Sequence, residues 1–155
     1  MYVDSQELFS DAQAVTATAI STNVLDLNAA SNSNVPLLQD IGVGEASVYL
    51  VVMTTTTATD SGSDATLTIT LESDSTANLA TSATVHYSSG ALAFAAFATA
   101  GTILVQIPLP LGDYERYLGV RYTVASGPLT AGAFTAFLTK DIQRQKYYAS
   151  GFTVA

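Results

Sequence analysis

His86 is the only histidine among 155 residues, and the chain has no cysteine and no tryptophan. One imidazole could act as general base to a serine, but such a set also needs an exposed nucleophile, and no serine here sits in a G-x-S-x-G turn. One histidine is too few for a cupin-type metal centre, which takes several imidazoles from one chain. The lack of cysteine removes disulfides, thiolate metal sites and cysteine nucleophiles together. His86 is therefore expected to be an ordinary surface or interface residue, and replacing it with alanine is expected to leave stability near normal.

Carboxylates are the other reactive groups. Asp113 with Glu115, and Glu72 with Asp74, stand at alternate positions that place each pair on one side of a strand or turn. Acid catalysis would need one member buried so that its pKa rises, and the surrounding polar residues point instead to solvated faces. Asp60-Ser61-Gly62-Ser63-Asp64 offers oxygen ligands in a tight turn. It lacks the further acids of an EF-hand loop, so Asx-type bonds to nearby backbone amides are the expected use. Gly42-Val43-Gly44 is followed by no lysine and opens no helix, so it is no phosphate loop. No catalytic, cofactor-binding or metal-binding residue is assigned, and no enzyme activity is expected.

The elements that would carry these residues alternate with period two. In residues 65–72, Leu67, Ile69 and Leu71 face one side while Thr66, Thr68, Thr70 and Glu72 face the other. In residues 117–124, Leu118, Val120, Tyr122 and Val124 form the apolar side. Residues 15–20 and 102–107 are weaker strands, and residues 47–54 are apolar on both faces, as in a strand covered on both sides. The 59–64 turn is expected to close a hairpin between the Val48 and Leu67 runs. Gly127-Pro128 and Gly132 interrupt the path to Phe134, and Pro108 and Pro110 end the Ile103 run. Residues 5–13 could form a short helical turn. Residues 91–100 are ambiguous, since their alanines favour helix, and are assigned to strand because of Phe94 and Phe97. Seven to nine short strands at such spacing predict an all-β fold, an antiparallel β-sandwich of jelly-roll type. Its predicted core is Val48, Leu50, Val52, Leu67, Ile69, Leu71, Ile103, Val105, Leu118, Val120, Val124 and Phe134.

Length and charge bound the rest. A chain of this length fits one domain, read as an arm over residues 1–13, a sandwich over 14–140 and an arm over 141–155. Hydrophobic residues make up 48% and charged residues only 12%, which suits a protein whose surface is partly covered by partners. No apolar run reaches membrane-spanning length and the acidic start lacks a signal peptide's basic region, so synthesis in the cytoplasm is expected. Residues 1–115 carry twelve acids and no Lys or Arg, while residues 116–155 carry all five bases and one acid, giving −12 and +4. The basic part can pair with its own body or with a neighbour, and an acidic protein is an unlikely match for nucleic acid. Tyr2, Val3, Leu8 and Phe9 at the start, and Arg144, Lys146, Tyr147, Tyr148 and Phe152 at the end, fall outside the alternating strands. These nine residues are the candidate interface.

Several collinear segments resemble one family. Residues 9–19 (Phe9-Ser10-Asp11-Ala12-Gln13-Ala14-Val15-Thr16-Ala17-Thr18-Ala19), 40–45 (Asp40-Ile41-Gly42-Val43-Gly44-Glu45), Arg116-Tyr117-Leu118 leading to Tyr122-Thr123-Val124, and residues 127–133 are similar to the Bbp16-like capsid proteins of tailed phages. The resemblance implies a cement, or decoration, protein on the outer surface of an icosahedral virion. Such a protein binds the major capsid protein and ties capsomers together. The resemblance offers no catalytic residue to carry over. Dimers and trimers both suit a sandwich with extended termini, and a dimer is favoured over a trimer; no cofactor, nucleic acid or membrane is expected. A virion carbohydrate-binding module is the alternative reading, since lectins also use jelly rolls.

Overall fold

Leu67, Ile69 and Leu71 point to one side of strand β5 (Thr66–Asp74) and are fully buried, while Thr66, Thr68 and Thr70 between them stay partly exposed. The same rule builds the rest. The computed structural model describes residues 5–27, 48–80, 82–140 and 142. A 3-10 turn at Ser5–Glu7 precedes β1 (Leu8–Ala14), β2 (Ala19–Ile20), β3 (Leu25–Asp26) and β4 (Tyr49–Thr59). After β5 come β6 (Thr84–Ser88), β7 (Leu92–Ala93), a single helical turn α1 (Phe94–Phe97), β8 (Ile103–Pro108), β9 (Tyr117–Ala125) and β10 (Ala131–Thr139).

Two antiparallel sheets result, ordered β1-β10-β4-β8 and β2-β9-β5-β6, with β3 added to β9 and β7 to β5. Their inner faces pack against each other. Leu50, Val52, Val105, Phe134, Ala136 and Leu138 from the first sheet meet Leu67, Ile69, Leu71, Leu118, Val120 and Tyr122 from the second. Tyr122 stacks on Phe134 at 5.6 Å between ring centroids and shares a 2.6 Å hydrogen bond with Ser10. Burial pushes the Tyr122 hydroxyl up to about 12, although the Ser10 bond acts in the other direction. Leu50, Val51 and Val52 are all buried, as the two-sided apolarity of residues 47–54 predicts.

Several expectations are corrected. The 59–64 turn closes no hairpin: β4 and β5 belong to different sheets, and the turn carries the chain from one to the other. Ile103 is not core but 55% exposed. A register shift in the β4–β8 pairing sets Val105 opposite Val52 but Ile103 opposite Met53, and that one-residue slip moves Ile103 to the other face. Residues 91–100 supply only β7 and α1. Residues 15–20 supply only β2, and the strand at the chain start instead spans Leu8–Ala14. Leu8 through Gln13 therefore lie in the first sheet and not in an arm. Gly132 lies within β10 at φ +151°, at a register shift where an added Cβ would stand 3.0 Å from the Ala58 Cβ.

Candidate functional site

Register places the chain's departures from the sandwich at one end. Leu8 pairs with Phe137, and Thr139 pairs with Tyr49, which pairs with Pro108. In the second sheet, Asp74 and Asp26 both pair with Tyr117, and Ser73 pairs with Thr84. The backbone amides of Leu27 and Leu109 reach the carbonyls of Arg116 and Val48. Leu8, Leu27, Val48, Thr139 and Ile142 thus gather at this end, here termed the entry end. The described Lys and Arg residues, Arg116, Arg121 and Lys140, lie at it or reach toward it. The far-end loops 15–18, 60–65, 89–102 and 126–130 hold no Lys, Arg or His.

Loop 109–116, between β8 and β9, is pinned through His86. The pairing of β5 with β6 sets Leu71 opposite Tyr87 but Glu72 opposite Val85, leaving His86 as the extra residue of a bulge. Its ring stacks on Tyr114 at 4.1 Å, and its Nε2 lies 2.7 Å from the Ser73 hydroxyl. The Glu115 amide donates to the same Ser73 oxygen at 3.0 Å, so Ser73 joins β5 both to β6 and to the loop. Burial lowers the His86 pKa, against the Glu115 carboxylate, which raises it. Burial also pushes Tyr114 up to about 12, and its hydroxyl donates to the Pro110 carbonyl.

A serine within hydrogen-bond reach of a histidine invites a catalytic reading. Ser73, however, is 0% exposed. Its oxygen is buried and accepts a backbone amide, which leaves no open side at which a substrate carbonyl could sit. The groove at this end, about 460 Å³, is lined instead by Tyr49, Gln106, Pro108, Lys140 and Ile142. What the Ser73–His86–Tyr114 group does is hold loop 109–116 against the edge of the second sheet.

Loop 75–82, between β5 and β6, is held on the opposite face of that sheet. Asp74 is buried and its carboxylate accepts from the amides of Thr76 and Ser82 and the hydroxyl of Ser75. Arg121 donates to Glu72 at 2.8 Å and to the Leu79 carbonyl, so one guanidinium ties strand and loop. Leu79 is buried over Gly119, where an added Cβ would stand 2.7 Å from the Leu79 Cδ1. The expectation that Glu72 and Asp74 face water is thereby corrected. Glu72 does point away from the core, but the loop folds over that face. Asp113 is exposed and Glu115 half-buried, with Glu115 accepting from the Thr84 hydroxyl. At the far end, the Asp60 carboxylate accepts the amides of Asp64 and Ala65. These bonds, that of Ala65 foremost, lower its pKa, which is the Asx-type use expected.

Of the nine candidate interface residues, the structure describes two. Leu8 is half-buried at the start of β1, and Phe9 is a fully buried member of the core, so folding of the subunit itself uses its side chain. Tyr2, Val3, Arg144, Lys146, Tyr147, Tyr148 and Phe152 lie outside the described residues. The exposed large apolar side chains at the entry end, Leu111 at 74% and Val85 at 52%, were missed. Leu111 follows two prolines and Val85 lies in an alternating strand, so neither stands out in the sequence.

Fold and site together define an antiparallel β-sandwich whose loops are pinned at the end where its terminal segments attach. The chain belongs to the Bbp16 family, whose model matches residues 9–138, from the second residue of β1 to the penultimate residue of β10. The family name points to a bacteriophage protein. No curated protein matches the chain. Among the described residues, no helix is long and apolar enough to cross a membrane.

Proposed function

We propose that this protein is a capsid cement protein of jelly-roll type that binds the outside of an icosahedral phage shell and bridges capsomers. The observation that carries the reading is the family match over the entire sandwich. The interleaved strand orders support the jelly-roll plan: the chain crosses between the two sheets at β1–β2, β3–β4, β4–β5, β7–β8, β8–β9 and β9–β10. The buried Ser73 and the use of Glu72, Asp74 and Glu115 as structural ties support a non-enzymatic role. The partners are the major capsid protein and a second copy of this chain. The mechanism is linkage: a subunit that binds only the assembled lattice stabilises it, by about 2.7 kcal/mol per site when free protein stands at a hundred times its Kd.

The test uses expanded shells of the phage that encodes this chain, produced without it. Added protein is expected to bind saturably and to raise the temperature at which the shells disrupt in calorimetry. A variant ending at Asp141 is expected to stay folded and to bind more weakly by more than about 2 kcal/mol, since a few aromatic and Arg anchors dominate interfaces. Shells that neither bind the protein nor gain stability from it would contradict the proposal.

A further inference from the structure

Loop 109–116 is anchored at both ends by backbone bonds, the Leu109 amide to the Val48 carbonyl and the Leu27 amide to the Arg116 carbonyl. Between them it rests on His86. Tyr114 stacks on the imidazole with the ring planes 26° apart, and Gly112 lies at the ring edge, where an added Cβ would stand 3.4 Å from Nδ1. The Glu115 amide bonds to Ser73, the same hydroxyl that meets Nε2, and the Glu115 carboxylate accepts from Thr84, two residues before His86 in β6. The loop therefore supplies part of the cover that takes the imidazole out of water. A protonated imidazole donates from both nitrogens and accepts at neither. Nε2 would then donate to Ser73, and Nδ1 would need an acceptor where Gly112 stands. Charging the ring costs least with the loop lifted and water in its place.

We infer that loop 109–116 is a pH-sensitive latch: protonation of His86 releases residues 110–115 from the sandwich while the two sheets stay paired. The inference is independent of the cement reading. The other charged groups near the ring do not reverse its sign. From the loop, Glu115 acts against burial and favours the charged ring, yet burial is the larger effect and the pKa is lowered. The Tyr114 hydroxyl, pushed up to about 12, stays protonated throughout, and Asp113 is exposed in the same loop. From β5, Ser73 is the residue that reaches the imidazole; Glu72 and Asp74 serve the sheet's other face, where they bind Arg121 and loop 75–82. The other ionisable residue of β6, Tyr87, packs against the core. With the loop open the ring titrates near 6.5, and with it closed it titrates lower. The open form thus binds the proton more tightly, and its population rises as pH falls below about 6.5, by up to about tenfold for each unit between the two values. Well above that pH the latch is shut. Leu111, 74% exposed in this loop, moves with it, so the shape of this end of the sandwich follows the pH around it.

The experiment follows amide hydrogen exchange in the full-length protein by NMR from about pH 8 to about pH 5.5, corrected for the intrinsic effect of pH on exchange, with and without urea below the unfolding transition. The Glu115 amide reports the latch, because its bond to Ser73 exists only with the loop closed, and the Val120 amide, bonded to buried Ser21, reports the whole fold. Support consists of Glu115 protection at least about tenfold below that of Val120, insensitive to urea because the opening exposes little surface, and falling by about fivefold or more across the pH range. The His86 ring signals should titrate below 6.5 in the same samples. His86→Gln, which keeps a polar side chain but cannot titrate, should abolish the effect of pH on Glu115; the urea and pH arms on the unaltered protein decide the matter whether or not that variant folds. Equal protection and equal urea dependence of the two amides would mean that the loop opens only with the whole sandwich, and overturns the inference. Glu115 protection that stays flat overturns it, and so does protection that rises as pH falls, which would mark a His86–Glu115 ion pair tightening the loop. A decline that persists in folded His86→Gln assigns the effect to the carboxylates of Glu115 or Asp113 and overturns it as well.

Discussion

Protonating His86 would place a charge on a ring that is partly buried between Tyr114 and Ser73. The fold thus prefers the neutral ring, in agreement with its lowered pKa. Because the unfolded histidine titrates near 6.5, the unfolded chain binds more protons than the folded one between that value and the lowered one. Stability from this residue is complete well above 6.5 and is lost as pH falls through 6.5 toward the folded value. Urea midpoints followed from about pH 8 to about pH 5 should show this decline, and His86→Ala should remove its contribution. The same substitution leaves buried Ser73 with the Glu115 amide but without its side-chain partner, and should cost about 1 to 3 kcal/mol at pH 8. That departs from the near-normal stability expected from the sequence. A lone histidine in a short, polar strand carries no mark of the bulge that turns it onto a buried serine.

At the scale of elements, the tie between loop 75–82 and β9 depends on a bare backbone. Gly119 lies opposite Glu72 in β9, and Leu79, Ser21 and Val24 close over the place where its side chain would be. Gly119→Ala should destabilise by about 1 to 3 kcal/mol through overpacking against the loop. Leu79→Ala alone leaves a cavity there, but the double variant should be less destabilised than the sum of the two, a coupling that denaturant melts would detect. Strict additivity would mean that the two residues do not meet. Strands β5 and β9 were legible because each buries one face against a single core, so alternation survives intact in Leu67, Ile69 and Leu71 and in Leu118, Val120 and Tyr122. What alternation cannot reveal is a bulge, which inserts one residue and reverses the faces beyond it, as at Ile103. Nor does it say which strands pair, so a turn rich in Gly, Ser and Asp served equally well for a hairpin and for the crossing from β4 to β5.

For the whole molecule, the sequence carried a charge split and apolar ends, and the fold gives a location to the described part of the charge split. The described bases gather toward the entry end, where the terminal segments also attach, although Phe9 itself is spent on the core. That arrangement was not legible beforehand, because it depends on strand order, which links residues as distant as Leu8 and Phe137. The Bbp16 match ends one residue before β10 does, so the family resemblance extends through the sandwich while the C-terminal aromatics lie beyond it. The measurement that bears most directly on the cement reading is an electron cryomicroscopy reconstruction of the virion encoding this chain. The expected result is a two-sheet density on the outside of the shell, at contacts between capsomers. A mature virion without that density, or with the sandwich in the tail or inside the shell, would contradict it.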